Sequence, residues 1–171
     1  MIEGSSVRLV PLQLMSDELL ALQSWLQDSD VIKYMGYTKT VPQTEEHIDR
    51  YLNKLLQNPD VRIFKMVVGK EYIGNIRVDI NWMWRVGVVS LLVGKQFWKK
   101  GYGSEAIELI TKFAHDTLGM HRVEAGILDG NVGSVKAFEK AGYELEGTRV
   151  GRRFCEGKHI DEYMVSHVKT D

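Results

Sequence analysis

Thiols are almost absent from this chain. One cysteine, Cys155, stands among 171 residues, which excludes an internal disulfide and leaves too few thiolates for a cysteine-built zinc or iron–sulfur site. A reducing compartment fits that usage. Neither sign of charge dominates, with 22 Lys and Arg against 23 Asp and Glu, so no global field draws the chain to nucleic acid or to a membrane surface. No basic stripe interleaves with aromatic residues either. Long hydrophobic runs are missing too: no stretch stays apolar for the roughly 20 residues that a spanning helix needs. The opening, MIEGSSVRLV, has neither the basic segment nor the apolar run of a signal peptide. The five histidines, His47, His115, His121, His159 and His167, lack the i, i+4 pairing of a helical metal site, so no metal is expected. These absences predict a cytoplasmic protein with no nucleic-acid or membrane partner. With no repeat, low-complexity tract or linker, one domain is expected over residues 1–171.

Hydrophobic periodicity supplies the order of elements. A short strand is expected at Val7 to Leu12, then a helix from Ser16, with Asp17 and Glu18 in its first turn, to about Leu26. A broken helical or loop segment follows through Tyr37. Thr44 can cap a second helix, Glu45 to Gln57, which Asn58-Pro59 ends. Three strands, Arg62 to Val68, Tyr72 to Asn81 and Val86 to Val93, read as an antiparallel meander. The last of these, VGVVSLLV, is apolar throughout, which predicts burial on both faces and a later parallel neighbour. A long helix from Tyr102 is expected to stop at Gly119. A strand at Arg122 to Asp129, a short helix closed by Gly142 and two strands turning around Glu156-Gly157 complete the order β-α-α-β-β-β-α-β-α-β-β.

The chemistry concentrates between Leu91 and Ala106, LLVGKQFWKKGYGSEA. There a buried strand, a basic turn, two glycines and a helix start follow one another directly. Glycine lets a backbone approach a ligand closely, and the free amides of a helix N-terminus present partial positive charge. A pyrophosphate suits such a turn, and Lys99 and Lys100 add charge; equally, Gly101 and Gly103 can simply turn the chain beside a solvated corner. The pattern Gly101-x-Gly103-x-x-Ala106, with Glu124 downstream, also meets the dinucleotide-binding fingerprint. Its context is wrong, because it follows a meander and the remaining chain is too short for the second half of a doubly wound fold.

The run from Leu91 to Ala106, together with Asn131-x-x-Ser134 and Phe138-Glu139-Lys140-Ala141-Gly142-Tyr143, resembles the GNAT superfamily of acyl-CoA N-acyltransferases. The string from Trp98 to Ala106 looks like the branch of ribosomal-protein N-terminal acetyltransferases. The resemblance implies an α/β (α+β type) GNAT fold: a central, mixed, mostly antiparallel seven-stranded sheet with helices on both faces. It implies acetyl-CoA as cosubstrate, with the backbone of Leu91, Leu92 and Val93 along the pantetheine arm. Amides from Trp98, Lys99, Lys100, Gly101, Tyr102, Gly103 and Ser104 would hold the pyrophosphate. Many relatives carry Arg or Gln where Trp98 stands, a difference that a main-chain contact tolerates.

Acetyl transfer needs a neutral amine, a donor for the tetrahedral oxyanion and a proton for the leaving thiolate. An amide near Leu92 or Val93 is the expected oxyanion donor. Where relatives place a tyrosine this chain has Phe138, which has no proton to give. Ser134 is therefore the expected donor to sulfur, with Asn131 positioning pantetheine; as alternatives, Ser134 is a helix-start residue and Asn131 a cap. Asp79 is a candidate proton relay or an exposed strand residue. Trp82, Trp84 and Trp98 would wall an acceptor channel or fill core. The basic hairpin of Arg149, Arg152, Arg153 and Lys158 would meet an acidic acceptor, the coenzyme's terminal phosphate or only solvent. The expected acceptor is an amine, either a protein N-terminus or a small molecule such as a polyamine, aminoglycoside or amino sugar, used by a monomer or homodimer. A non-catalytic acyl-CoA-binding module is the alternative of a different class.

Overall fold

A computed structural model describes residues 1–13, 15–35 and 44–170; the segment expected to run on through Tyr37 leaves the described residues at 36. Eight strands form one mixed sheet, one more than the seven expected. They are β1 (Ile2–Glu3), β2 (Val7–Pro11), β3 (Val61–Val68), β4 (Glu71–Asn81), β5 (Val86–Val93), β6 (Arg122–Leu128), β7 (Glu144–Cys155) and β8 (Lys158–Val168), in the order β1-β2-β3-β4-β5-β6-β8-β7. The extra strand is β1, which two residues of sequence do not announce. It folds back on β2 because the carboxylate of Glu105 accepts from the amides of Ser6 and Val7 at 2.8 and 3.2 Å.

The helices are α1 (Ser16–Gln27), α2 (Ser29–Ile32), α3 (Glu45–Gln57), α4 (Tyr102–Asp116) and α5 (Val132–Lys140). Their starts follow capping chemistry. Glu18 accepts from the Met15 amide at 2.8 Å, Asp28 from Asp30 at 2.9 Å and Thr44 from His47 at 3.2 Å, each satisfying an amide the helix leaves open. Gly119 and Gly142, at φ +68 and +83, turn the chain out of α4 and α5.

Each face of the sheet has its own core. Ala106, Ile107, Ile110 and Ala114 of α4, with Phe138 of α5, pack on Ile76, Val78, Val89, Val123, Ala125 and Ile127. On the other face α1 and α3 bring Leu22, Trp25, Leu26, Ile48 and Leu52 against Val61, Ile63 and Tyr72. This second layer reaches β5 only at Leu92, so Val88 and Ser90 are exposed while Val89 between them is buried. The expected burial of β5 on both faces is thus corrected: at Val88 and Ser90 only one face is covered, while toward the end of the strand Leu92 meets one core and Leu91 and Val93 the other. Its apolar run answers instead to α4 below and to strands on either side.

Candidate functional site

Strand β5 is parallel to β6 for three residues only, Val86 to Val88 against Arg122 to Glu124. Beyond them β5 continues to Val93 paired with β4, and β6 continues to Leu128 paired with β8. The two strands therefore part at their carboxyl ends and leave a wedge, the kind of crevice in which open α/β sheets bind ligands.

Strand alternation settles which backbone groups face the wedge. The Gly94 amide donates to Ile73 at 2.9 Å, and a Cβ at Gly74 would lie 2.1 Å from the Leu92 carbonyl, so residues 92 and 94 turn their main chain to β4. The Arg85 carbonyl accepts from His121 and Arg122 on the β6 side. By alternation, Val89, Leu91 and Val93 turn their N–H and C=O groups into the wedge. Of the three residues expected along the pantetheine arm, Leu91 and Val93 therefore present main chain to the wedge, whereas Leu92 turns its main chain to β4. The Val93 carbonyl is already taken by Trp98 Nε1–H at 2.8 Å, which leaves the Val93 amide and both groups of Leu91 open.

The basic turn closes the wedge at its wide end. Lys99 sits at φ +61 and Gly101 at φ +84; a left-handed lysine costs about 1 kcal/mol or more and is found where the surroundings over-determine it. The first helical bond of α4 runs from Glu105 to the Gly101 carbonyl, and Gly101 has no side chain to cap the helix. The amides of Tyr102, Gly103 and Ser104 are thus without intrahelical acceptors. Lys140 was missed in the sequence. A Cβ at Gly101 would lie 3.8 Å from its Nζ, so α5 delivers a cation to this turn from 39 positions away, and no local pattern signals it. Lys100 lies over the Phe97 ring at 5.7 Å, and Lys136 is exposed on α5.

Asn131 is the cap of α5: its Oδ1 accepts from the Ser134 amide at 3.2 Å. Ser134 is half-buried, and its hydroxyl takes no partner among the described residues. Phe138 is 2% exposed and meets Tyr143 edge-on at 4.9 Å, as part of the core. Asp79 lies on the face that α4 does not cover. Burial pushes its carboxyl up, against the pull of Arg77 at 3.1 Å, and Arg77 also donates to Ser90 and Tyr51 at 3.0 and 2.8 Å. On the same strand Tyr72 Oη and Asn75 Oδ1 are buried, and Asn75 is the β4 neighbour of Leu92.

The tryptophans separate. Trp98 stands at the turn, whereas Trp82 and Trp84 occupy the β4–β5 hairpin at the opposite end of β5, about 25 Å away along eight residues of strand. The expected aromatic wall around one channel is not formed by these three. Across the wedge mouth, Tyr34 Oη donates to the Gly130 carbonyl at 2.8 Å and Cys155 Sγ to the Lys33 carbonyl at 3.3 Å. The segment after α2 thereby reaches both the β6–α5 turn and the last hairpin. Elsewhere His115 Nδ1–H donates to the Met120 carbonyl at 2.8 Å, which leaves Nε2 to accept from His167 Nδ1–H at 3.1 Å.

The sequence model of the Acetyltransferase (GNAT) domain family matches residues 7–144. An uncharacterized N-acetyltransferase, p20, of Bacillus licheniformis is 27% identical over 165 residues, covering 92% of this chain and 90% of that protein. Among solved structures, spermidine N-acetyltransferase from Vibrio cholerae, in complex with CoA and spermine, superposes with a TM-score of 0.83 at 18% identity over 96% of each chain. The ribosomal-protein α-N-acetyltransferase RimL, in complex with coenzyme A, gives a TM-score of 0.86 at 12% identity, covering 96% of this chain and 95% of that one. At such identities these two likenesses speak to the fold.

Proposed function

The chain belongs to the GNAT acetyltransferase family, and from that premise we propose that residues 1–171 form one domain that transfers the acetyl group of acetyl-CoA to a primary amine, by resemblance the N-terminal amine of a protein. The observation that carries this reading is the wedge between β5 and β6, ending at a helix N-terminus whose first amides are uncapped. The residues present fit the cosubstrate. Open amides at Tyr102, Gly103 and Ser104, with Lys99, Lys100 and Lys140 near them, suit a diphosphate. The edge of β5 at Leu91 and Val93 suits an extended amide-bearing arm. Bound there, acetyl-CoA supplies the activated acyl group.

In this reading the amine attacks the thioester carbonyl from the face left open by α1 and α3. A main-chain N–H of Leu91 or Val93 stabilises the oxyanion, and the Ser134 hydroxyl gives its proton to the departing sulfur while the proton shed by the attacking nitrogen replaces it through water. Asn131 acts by holding the first turn of α5, and with it Ser134, in place.

Titration calorimetry with CoA, followed by thiol release from acetyl-CoA with a panel of amines, tests the proposal. Micromolar binding and amine-dependent thiol release are expected. No heat of binding would end it.

A further inference from the structure

Strand β7 leaves its regular pairing at one place, and the departure gathers charge. Arg149 pairs with Glu162 and Arg153 with Ile160, so residues 150–152 stand opposite Asp161 alone. Gly151, at φ +60, makes this bulge possible; its amide donates to Asp161 Oδ1 at 2.8 Å, and its carbonyl accepts from His159 Nδ1 at 3.2 Å. Bulges of this kind re-aim side chains. Here both arginines converge on one carboxylate, with Arg149 NH1 3.2 Å from Glu162 Oε2 and Arg153 Nε and NH2 2.9 and 2.8 Å from Oε1. The Glu162 side chain is 3% exposed and each arginine side chain 51%. Burial opposes ionisation of Glu162, but Arg153 and Arg149 outweigh it and hold the carboxyl below its ordinary range.

One guanidinium neutralises a buried carboxylate. The second leaves a net positive charge, with unused N–H donors on two half-exposed forks that suit a further carboxylate. Its position links it to the reaction. Glu162 folds across Gly126, where a Cβ would lie 2.8 Å from its Oε1. Gly126 is two residues beyond Glu124, at which β6 parts from β5, or about 7 Å along the strand. Val123, Ala125 and Ile127 point into the core under α4, so Gly126 and the triad lie on the opposite face, which α4 does not cover.

We propose that Arg149 and Arg153, gathered by the β7 bulge onto Glu162, select an acceptor whose amine is accompanied by a carboxylate several bonds away. The acidic side chain of an N-terminal peptide and the side-chain carboxylate of a free amino acid share this chemistry. A polyamine does not, since it brings positive charge to a cluster that is already positive. The inference rests on acetyl transfer at the wedge.

The test compares matched acceptors: L-glutamate against L-glutamine, and a tetrapeptide amide beginning Ser-Glu against one beginning Ser-Gln, with spermidine as the cationic arm. In at least one pair the acid is expected to exceed its amide about 10-fold or more in kcat/KM, the worth of one charged hydrogen bond. The pair that shows it tells peptide from amino acid. That ratio should shrink as NaCl rises from about 0.05 to about 0.5 M and collapse toward unity in R149Q/R153Q/E162Q, where neutral side chains replace the whole triad. Acetylation of amides or spermidine without acid preference, or a ratio that survives in the triple variant, overturns the assignment and leaves acetyl transfer standing. Absence of CoA binding, or binding without thiol release from any acceptor, overturns both.

Discussion

Ser134 and Asn131 sit three residues apart and do different things. Asn131 spends its side-chain oxygen on the Ser134 amide, whereas the Ser134 hydroxyl keeps its capacity. Ser134→Ala is therefore expected to lower kcat about 100-fold, the range of a lost general acid, with CoA affinity within about twofold by calorimetry. Asn131→Ala should cost about 1 kcal/mol of stability as a lost cap, read as a melting temperature about 2–4 °C lower. If Ser134→Ala turns over like the parent, the hydroxyl is only a surface group of the helix. The cap at Asn131 was legible in the sequence, because Asn is a common residue before a first helical turn, whereas the role of Ser134 came only from the resemblance of its motif. Lys140 was not legible, since its proximity to Gly101 exists only once α5 packs beside α4. The choice of Leu91 and Val93 over Leu92 also needed the register of β4 against β5, which no run of hydrophobic residues encodes.

At the level of elements, the turn into α4 separates what the fold requires from what a ligand requires. Gly101 is left-handed, so Gly101→Ala should lose about 1–2 kcal/mol of stability. Gly103 is different: its backbone is helical, and a Cβ there would meet only Leu91 Cδ1 at an ordinary 3.8 Å. The fold has no need of glycine at 103, and Ala would stabilise the helix by up to about 1 kcal/mol. Gly103→Ala is expected to melt higher and to bind CoA at least about tenfold more weakly, a pairing that scanning calorimetry and titration together check. Unchanged CoA affinity would mean that the diphosphate lies elsewhere. The long periodic elements and their glycine stops read plainly from sequence, since caps and turns are local chemistry. The exposed face of β5 did not, because burial there depends on how far α1 and α3 extend across the sheet. Nor did the β7 bulge, whose cause is a contact between Gly151 and Asp161 on the neighbouring strand.

Across the molecule, stability is tied to pH through His167. Burial first, and then the neighbouring His115, hold its folded pKa below the ordinary 6.5. The folded state thus binds its proton less readily than the unfolded chain, so this contribution is complete above about pH 6.5 and is lost as pH falls toward the lower folded value. His167→Gln should flatten the acid side of the melting-temperature profile between about pH 7 and about pH 5; parallel profiles for the two proteins would discount the histidine pair. The described helices include none long and apolar enough to cross a membrane.

The four tryptophans fall into three optical classes. Trp25 is enclosed at 5% exposure, Trp82 and Trp84 face water at 45% and 70%, and Trp98 hangs by its indole hydrogen bond on the rim of the wedge. With Trp82 and Trp84 replaced by phenylalanine, emission comes from one sealed ring and one ring at the turn into α4. Adding CoA should then shift that emission to shorter wavelength as Trp98 loses water, turning the indole on the rim into a built-in gauge of cosubstrate occupancy.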